Sequence, residues 1–203
     1  MTTARKMMRY ISGGDTRCVQ AAFRMIVESD QGIDPGEARA DALTGYVPGR
    51  GTWPFRMLLA FADLGFHVID HENFNFQKFV INPEETIKDQ VQDDHVTQLI
   101  LAETDLAAET LAVRNCLQSP CIELIQGVPT FDDVMAQIAL GRFVLCNVNL
   151  QVLEGKSERE GHILIIVAVD DEIVVAHDPG PHGSLNRRFK RDLFEQAWTS
   201  PSP

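Results

Sequence analysis

A cysteine near the start of the chain has a sequence setting that suits a nucleophile. Cys18 follows a Gly13-Gly14 turn and opens the segment CVQAAFRMIVES, whose apolar residues recur at helical spacing. This pattern predicts a buried helix with Cys18 in its first turn. The unpaired N–H groups and the dipole of a helix start favour a thiolate, which is the reactive form of the side chain. Cys18 is therefore a candidate nucleophile, although cysteines also often fill cores.

The residues that could activate this thiol lie late in the chain, in GHILIIVAVDDEIVVAHDP. Two β-branched apolar runs flank an Asp-Asp-Glu turn, which predicts an antiparallel hairpin. If the turn is centred on Asp170, His162 lies directly opposite Asp178, with Cβ atoms ~5 Å apart. An imidazole can take the thiol proton, and a carboxylate can fix its tautomer. We therefore predict a catalytic triad of Cys18, His162 and Asp178, although each residue alone also suits a structural role.

These features together resemble a known family. A cysteine at the start of an early helix, a late Gly161-His162 pair before an apolar strand, and Asp178-Pro179 after the next strand are similar to papain-like cysteine peptidases. The resemblance is to the bacterial bacteriocin-leader type, often called double-glycine leader peptidase-like. It implies a papain-like fold, with Cys18 as nucleophile, His162 as general base and Asp178 as the residue that orients the base.

The sequence departs from this family's pattern beside the nucleophile. Ser12 stands where the family usually carries a glutamine that donates to the oxyanion, and Val19 stands where glycine is usual. We therefore expect an oxyanion hole of backbone N–H groups, such as that of Cys18, with help from Ser12 or Thr16. Trp53 lies in a loop before a helix and could line the substrate cleft, although packing is the commoner role of such a side chain.

Helices dominate the first part of the chain and antiparallel strands the last, which indicates an α+β fold and not a doubly wound sheet. Predicted helices cover the Cys18 segment, 35–43, 55–65, 83–118 with a break near 93–95, TFDDVMAQIALG and DLFEQAW; predicted strands cover HVIDHENFNF, CIELIQ, RFVLCNVNLQVL and the hairpin. We expect one papain-like domain over residues 1–203. Its helical half would begin with the Cys18 helix, and the active site would lie in the cleft beside an antiparallel sheet half.

The composition narrows the classes of partner. A net charge of −11 argues against nucleic acid, because phosphate binding needs clustered Lys and Arg. The one basic cluster, formed by Arg187, Arg188, Lys190 and Arg191, is typical of a solvated turn and helix start. Neither a signal peptide nor a run of roughly 20 apolar residues is present, so we expect a cytoplasmic protein without a membrane partner.

The remaining metal-binding residue types do not predict a metal or cofactor. His177 and His182 flank Asp178, but a loop rich in Gly and Pro is more often a plain turn than a metal site. Cys116 and Cys121 lack a second ligand pair nearby, and Cys146 lies inside an apolar strand and is expected in the core. We expect all four cysteines to be thiols in a reducing compartment.

The sequence thus favours a cysteine-dependent acyl-transfer enzyme, a peptidase or amidase acting on a peptide or peptide-like small molecule. One alternative is an amide-forming acyltransferase that uses the same three residues in biosynthesis of a peptide-like natural product. The other is a catalytically inactive papain-like domain that binds a peptide. A phosphate-binding loop of the G-x-x-x-x-G-K-[ST] type is missing, so the chain is not predicted to be a transporter-fused peptidase. The sequence indicates neither the exact substrate nor the oligomeric state.

Overall fold

Helices and strands make up 49% and 18%, respectively, of the residues that the structure describes, so the protein is a mixed α+β protein. The computed structural model describes residues 8–14, 16–91, 93–156, 160–180 and 182–199. The elements in chain order are α1 (Cys18–Gln31), α2 (Glu37–Thr44), α3 (Phe55–Asp63), β1 (Val68–Glu72), α4 (Phe76–Ile81), α5 (Pro83–Val91), α6 (Asp94–Glu103), α7 (Leu106–Gln118), β2 (Ile122–Gln126), α8 (Phe131–Ala139), β3 (Val144–Asn149), α9 (Leu150–Leu153), β4 (Gly161–Val169), β5 (Ile173–His177), β6 (Arg187–Lys190) and α10 (Arg191–Thr199). Over the described ranges, no helix has the length and apolar character needed to cross a membrane.

The chain forms two compact units. The first combines the described residues up to Ala42 with those from Thr130 onward, and the second is Leu43–Pro129. The Cys18 helix and the predicted hairpin belong to the same unit. The single domain expected from the sequence stays a prediction.

The first unit is built on a four-stranded antiparallel sheet in the order β3-β4-β5-β6. Helix α1 packs against β4, and helices α8 and α10 pack against the sheet as well. A Thr130-Asp133 capping box starts α8, as the Thr or Asp cap in the sequence predicts. The fully buried side chains of Val148, Leu164 and Phe194 belong to one apolar core cluster. This core packs α8 and α10 against the sheet.

The β4–β5 hairpin forms as predicted, but its register differs from the predicted one. Ile165 faces His177, and beyond a bulge Ala168 faces Val175. Asp170 does not lie at the centre of the turn. Its carboxylate precedes the turn and accepts bonds from the N–H groups two and three residues further on, at 2.9 and 2.7 Å. Such local side-chain bonding is common at aspartates in turns, and the apolar pattern alone does not reveal it.

The predicted direct pairing of His162 with Asp178 is therefore wrong. Continued past the end of β5, the register that pairs Ile165 with His177 would place His162 opposite Gly180, two residues beyond Asp178. A shift of two residues keeps both side chains on the same face of the sheet, whereas a shift of one would have separated them. Asp178 is consequently a diagonal neighbour of His162, a relation that still lets long side chains touch.

The basic cluster is also placed differently from the prediction. Arg187, Arg188 and Lys190 belong to strand β6, which pairs with β5, and only Arg191 starts helix α10. The apolar residue that identifies β6 as a strand is Phe189, which is buried against the sheet and reaches the core cluster. A strand of four residues with three exposed or half-exposed cations leaves little sequence signal.

The second unit contains helices α3 to α7 and a parallel pair of strands, β1 and β2. The predicted helix over 83–118 is divided into α5, α6 and α7, and its break near Asp93 is confirmed because Asp93 caps α6. Within this unit, Trp53 stacks on Phe55 and lies against Phe79 in an aromatic cluster. Its indole N–H donates to the Thr104 hydroxyl at 3.1 Å. The packing role considered for Trp53 is therefore present.

Candidate active site

Cys18 is the first residue of helix α1 and is partly exposed. The preceding residue, Arg17, occupies the N-cap position without a side-chain capping bond. The start of the helix therefore directs its backbone donors and its dipole toward the thiol. The first ten residues of α1 are buried almost all round, with Phe23 and Met25 fully buried on different sides, and this packing fixes the helix in place. The sequence prediction for this helix is confirmed.

A short segment before α1 connects the nucleophile to the loop that follows β5. The Gly13 N–H donates to the Pro179 carbonyl at 2.7 Å, and the Tyr10 hydroxyl donates to the Gly180 carbonyl at 3.0 Å. A Cβ atom at Gly13 would lie 2.3 Å from the Arg17 carbonyl oxygen, so only glycine fits the turn. These contacts hold the segment that leads into Cys18 against the Asp178 loop.

His162 is the second residue of β4 and is only 4% exposed. Its Nε2 atom lies 2.7 Å from Oδ1 of Asp178. The imidazole also lies close enough to the Cys18 side chain for each group to shift the pKa of the other. Since Nε2 is engaged by the carboxylate, Nδ1 is the nitrogen that can exchange a proton with the thiol. The structure thus brings all three predicted residues together.

Asp178 is 1% exposed, and each of its carboxylate oxygens has a donor. Oδ1 accepts from His162 and from the Gly180 N–H at 2.9 Å, while Oδ2 accepts from Nη1 of Arg187 at 2.5 Å. Burial by itself would raise the pKa of Asp178, but the bonds from His162, Gly180 and Arg187 outweigh it and hold the pKa at about 2. The carboxylate is therefore ionised throughout the neutral range.

A similar competition between burial and hydrogen bonding favours an ion pair between Cys18 and His162. Burial lowers the pKa of His162, but hydrogen bonds to Asp178 and Cys18 raise it to about 9. Burial raises the pKa of Cys18, while the His162 hydrogen bond and charge, and the N–H groups of Ile163 and Val19, lower it below its ordinary value. These shifts favour a thiolate at Cys18 and an imidazolium at His162, next to the Asp178 carboxylate and the Arg187 guanidinium, so that the charges alternate. Such a pair supplies a nucleophile and a proton donor side by side.

The three other predicted site residues occupy distinct positions. Ser12 is exposed, and its hydroxyl accepts from the Gly14 N–H at 3.3 Å. Thr16 is exposed and lies two residues before Cys18, in the same turn. Both therefore lie on the segment that leads into the nucleophile, whereas Trp53 belongs to the second unit. Roles in oxyanion or substrate binding stay predictions for all three.

The histidines beside Asp178 have structural surroundings. Nδ1 of His177 accepts the backbone N–H of Asn186 at 3.1 Å, and His182 is exposed on the loop. Over the described ranges, no group of three or more His, Cys, Asp or Glu residues has an arrangement that could hold a metal ion.

The other cysteines contrast with Cys18. Cys116 and Cys146 are buried, and the pKa of each is raised to about 12, at Cys146 by burial and at Cys116 by burial together with the nearby carboxylates of Asp70 and Glu109. Cys116 donates its S–H to the Phe55 carbonyl at 3.5 Å. All four cysteines are free thiols.

Three residues of this site escape the sequence analysis: Arg187, Tyr10 and Gly180. The sequence favours a solvated basic turn for Arg187, yet this residue is the charged partner of Asp178. A signal for it exists, since a cation shortly after an Asp-Pro-Gly turn can face back toward that turn when a short strand follows. Gly180 is required by space, because a Cβ there would lie 3.0 Å from both Asp178 Oδ1 and His162 Cε1.

Comparisons with known proteins returned no matching family model, curated protein or solved structure. The geometry and electrostatics of the site itself are therefore the basis for inferring its function.

Proposed function

We propose that this protein is a cysteine-dependent acyl-transfer enzyme, a peptidase or amidase that works through an acyl group on Cys18. The observation that carries the proposal is the contact between the Cys18 side chain and a buried imidazole whose Nε2 is 2.7 Å from the buried Asp178 carboxylate. A chain that only needed stability could bury apolar side chains here, because a buried charged pair rarely adds stability over a well-packed apolar one.

In the first half-reaction the Cys18 sulfur attacks the carbonyl carbon of an amide, ester or thioester. A carbon–sulfur bond forms, and the bond from the carbonyl carbon to the leaving group breaks. The leaving group takes a proton from Nδ1 of His162, which becomes neutral. Asp178 keeps the imidazole oriented throughout, since its carboxylate holds Nε2–H.

In the second half-reaction water attacks the thioester carbonyl and gives its proton to His162. The carbon–sulfur bond breaks, and the thiolate and imidazolium are restored with release of a carboxylic acid. Negative charge on the carbonyl oxygen in both steps needs nearby donors, which we assign to N–H groups at the start of α1, helped by Ser12 or Thr16.

The proposal extends to family and surroundings. A cysteine at a helix start, packed on an antiparallel sheet that carries the histidine and the aspartate, supports the papain-like resemblance of the sequence. We accordingly propose a papain-like fold, a peptide or peptide-like substrate and a cytoplasmic location. No cofactor takes part in the proposed reaction.

A test uses p-nitrophenyl acetate as the probe, because it needs no knowledge of the native substrate. We expect a burst of p-nitrophenol in proportion to enzyme, and an acetyl group on the Cys18 peptide by mass spectrometry. Cys18→Ala should lose the burst, by about 10³-fold or more in rate. Cys121→Ser is the matched control, since Cys121 is also partly exposed, and it should retain the burst.

The opposite result would assign the protein to another class. If acetylation is no faster at Cys18 than at Cys121, the acyl-transfer proposal is contradicted. The peptide-binding domain considered from the sequence would then be the better account, because a binding domain needs no activated thiol.

An amine acceptor in place of water is the second candidate, and one observation favours it. Ser12 replaces the family's oxyanion glutamine, and its hydroxyl is engaged with Gly14 N–H as an acceptor. Weaker oxyanion stabilisation suits an activated acyl donor better than an amide. Adding n-butylamine to the acetylated protein distinguishes the two: an acyltransferase releases N-butylacetamide faster than acetate, and a hydrolase does not.

A further inference from the structure

Arg187 lies at a position where the register of the sheet directs it at the Asp178 carboxylate. It faces Ala176 across the β5–β6 pair, and Asp178 is the first residue after β5, two positions beyond Ala176. His162 approaches Asp178 diagonally from the other side, across β4–β5. The carboxylate is therefore held between a histidine and an arginine from the two adjacent strands.

The arginine is itself held in place. Its guanidinium carbon lies 4.9 Å from the centre of the Phe189 ring, a cation–π distance. Phe189 is 5% exposed and belongs to the core cluster, so this support is rigid. The Arg187 side chain is 29% exposed, and its Nη1 atom lies 2.5 Å from Oδ2 of Asp178. A guanidinium in this geometry restrains the rotation of the carboxylate and stabilises its negative charge.

We propose that Arg187 is a positioning residue of the active site, which acts on the Cys18–His162 pair only through the Asp178 carboxylate. This inference depends on the proposed function, since it assigns a further member to the same site. The arginine neutralises the second carboxylate oxygen and leaves the first aimed at Nε2 of His162. The imidazole is then fixed with Nδ1 toward the thiol.

The charged and titratable groups around Asp178 come from each neighbouring element. His162 is on β4, Arg187 is on β6, and the Gly180 N–H belongs to the loop after β5. Cys18 on α1 contacts His162 from its other side. When a neutral side chain replaces Arg187, one of three donors that favour the Asp178 anion is lost, and the carboxylate takes up a proton more readily. The imidazolium and the thiolate lose support in consequence.

The test is the pH dependence of Cys18 alkylation by iodoacetamide, read by mass spectrometry, which needs no substrate. For Arg187→Gln we expect the acid limb of the profile to move by about one pH unit to higher pH. At a pH on that limb, alkylation should be about tenfold slower than in the wild type. Arg187→Lys keeps the charge without the fork and should restore at least half of the shift.

Arg188→Gln is the matched control, because Arg188 is the exposed neighbour on β6 and faces Val175. Its profile should overlay that of the wild type. Circular dichroism and thermal melts of each variant report folding separately. If Arg187→Gln lowers the melting temperature but leaves the profile unchanged, Arg187 is merely structural and the proposal is overturned.

The test also distinguishes a variant that does not fold, a failure of the proposed function and a failure of the positioning role alone. Should Arg187→Gln not fold, Arg187→Lys must show a smaller but measurable shift of the acid limb, and an unshifted profile in that variant overturns the proposal. If the wild-type profile is that of an ordinary thiol, the proposed function fails. If the wild-type profile is displaced to acid pH and Arg187→Gln overlays it, the positioning role alone fails.

Discussion

Cys18 and Cys146 lie in the same compact unit, and both are close to strand β4, yet they have opposite chemistry. Cys146 faces Leu164 across the β3–β4 pair and is 3% exposed in an apolar cluster. Burial raises its pKa to about 12. Burial raises the pKa of Cys18 too, but His162 and two backbone N–H groups reverse the shift and leave it below the ordinary value.

In this unit the neighbouring groups, and not burial alone, decide whether the pKa of a thiol is raised or lowered. Val148, which faces His162, and Cys146, which faces Leu164, are two residues apart on β3. The β4 residue that faces the inert core thiol, Leu164, and the β4 residue that contacts the nucleophile, His162, are thus only two positions apart. The difference should be open to change by single substitutions.

The largest expected effect comes from removing the imidazole. In His162→Ala, Cys18 should approach the behaviour of an unassisted buried thiol. We expect iodoacetamide alkylation of Cys18 at pH 7 to be about 100-fold slower, because a thiol with the ordinary pKa of 9.0 is only about 1% thiolate at that pH. The rate is measured by peptide mass spectrometry. His182→Ala, an exposed histidine on the nearby loop, is the control and should react like the wild type.

An intermediate effect is expected when the carboxylate loses its charge. Asp178→Asn keeps the shape but removes the anion that holds His162 protonated, so alkylation of Cys18 at pH 7 should be about tenfold slower. Asp171→Asn, at a fully exposed turn position, serves as the control. Equal rates for Asp178→Asn and the wild type would mean that the thiolate does not depend on Asp178.

The sequence was sufficient to predict that Cys18, His162 and Asp178 come together, but not the register of the hairpin that carries two of them. The helical spacing after Cys18 and the paired apolar runs around the turn predicted α1 and the hairpin, and thereby the approach of His162 to Asp178. The register was wrong because side-chain bonds of Asp170 to the turn backbone extend the connection. His162 and Asp178 still meet, because a register shift of two residues leaves a side chain on the same face of the sheet.

Arg187 could not be found in the same way. Its role depends on β6, a strand of four residues, and on how far a guanidinium reaches across β5 toward Asp178. The number of cations in the segment shows only that it is basic. The pairing of β6 with β5 is what directs the Arg187 side chain toward Asp178. The split of the chain into two compact units likewise leaves no mark in composition.

A smaller effect is expected where the site is tight. In Gly180→Ala the new Cβ would lie 3.0 Å from Asp178 Oδ1 and from His162 Cε1, so one of them must shift by a few tenths of an ångström. We expect Cys18 alkylation to slow by about threefold, since small displacements at such sites reduce rates moderately. Gly51→Ala, which has open space around its Cβ, is the matched control. A rate unchanged in both variants would show that the loop adapts freely.

The smallest effect on reactivity is expected at the core thiol. Cys146→Ala should leave the alkylation rate of Cys18 unchanged, while the cavity lowers the free energy of unfolding by about 1 kcal/mol. Urea unfolding followed by circular dichroism measures the loss. In the wild type, Cys146 should be alkylated only after unfolding. Rapid labelling of native Cys146 would contradict its placement in the core.

The ion pair between Cys18 and His162 is the central claim, and the ultraviolet absorbance of the thiolate tests it most directly. The titration is recorded as the difference between the wild type and Cys18→Ser, and is repeated for His162→Ala against the corresponding double variant. We predict a thiolate step well below the ordinary thiol value of 9.0 in the wild type. In His162→Ala that step should move to 9.0 or above. A single step near 9.0 that is the same with and without His162 would contradict the ion pair and the acyl-transfer mechanism derived from it.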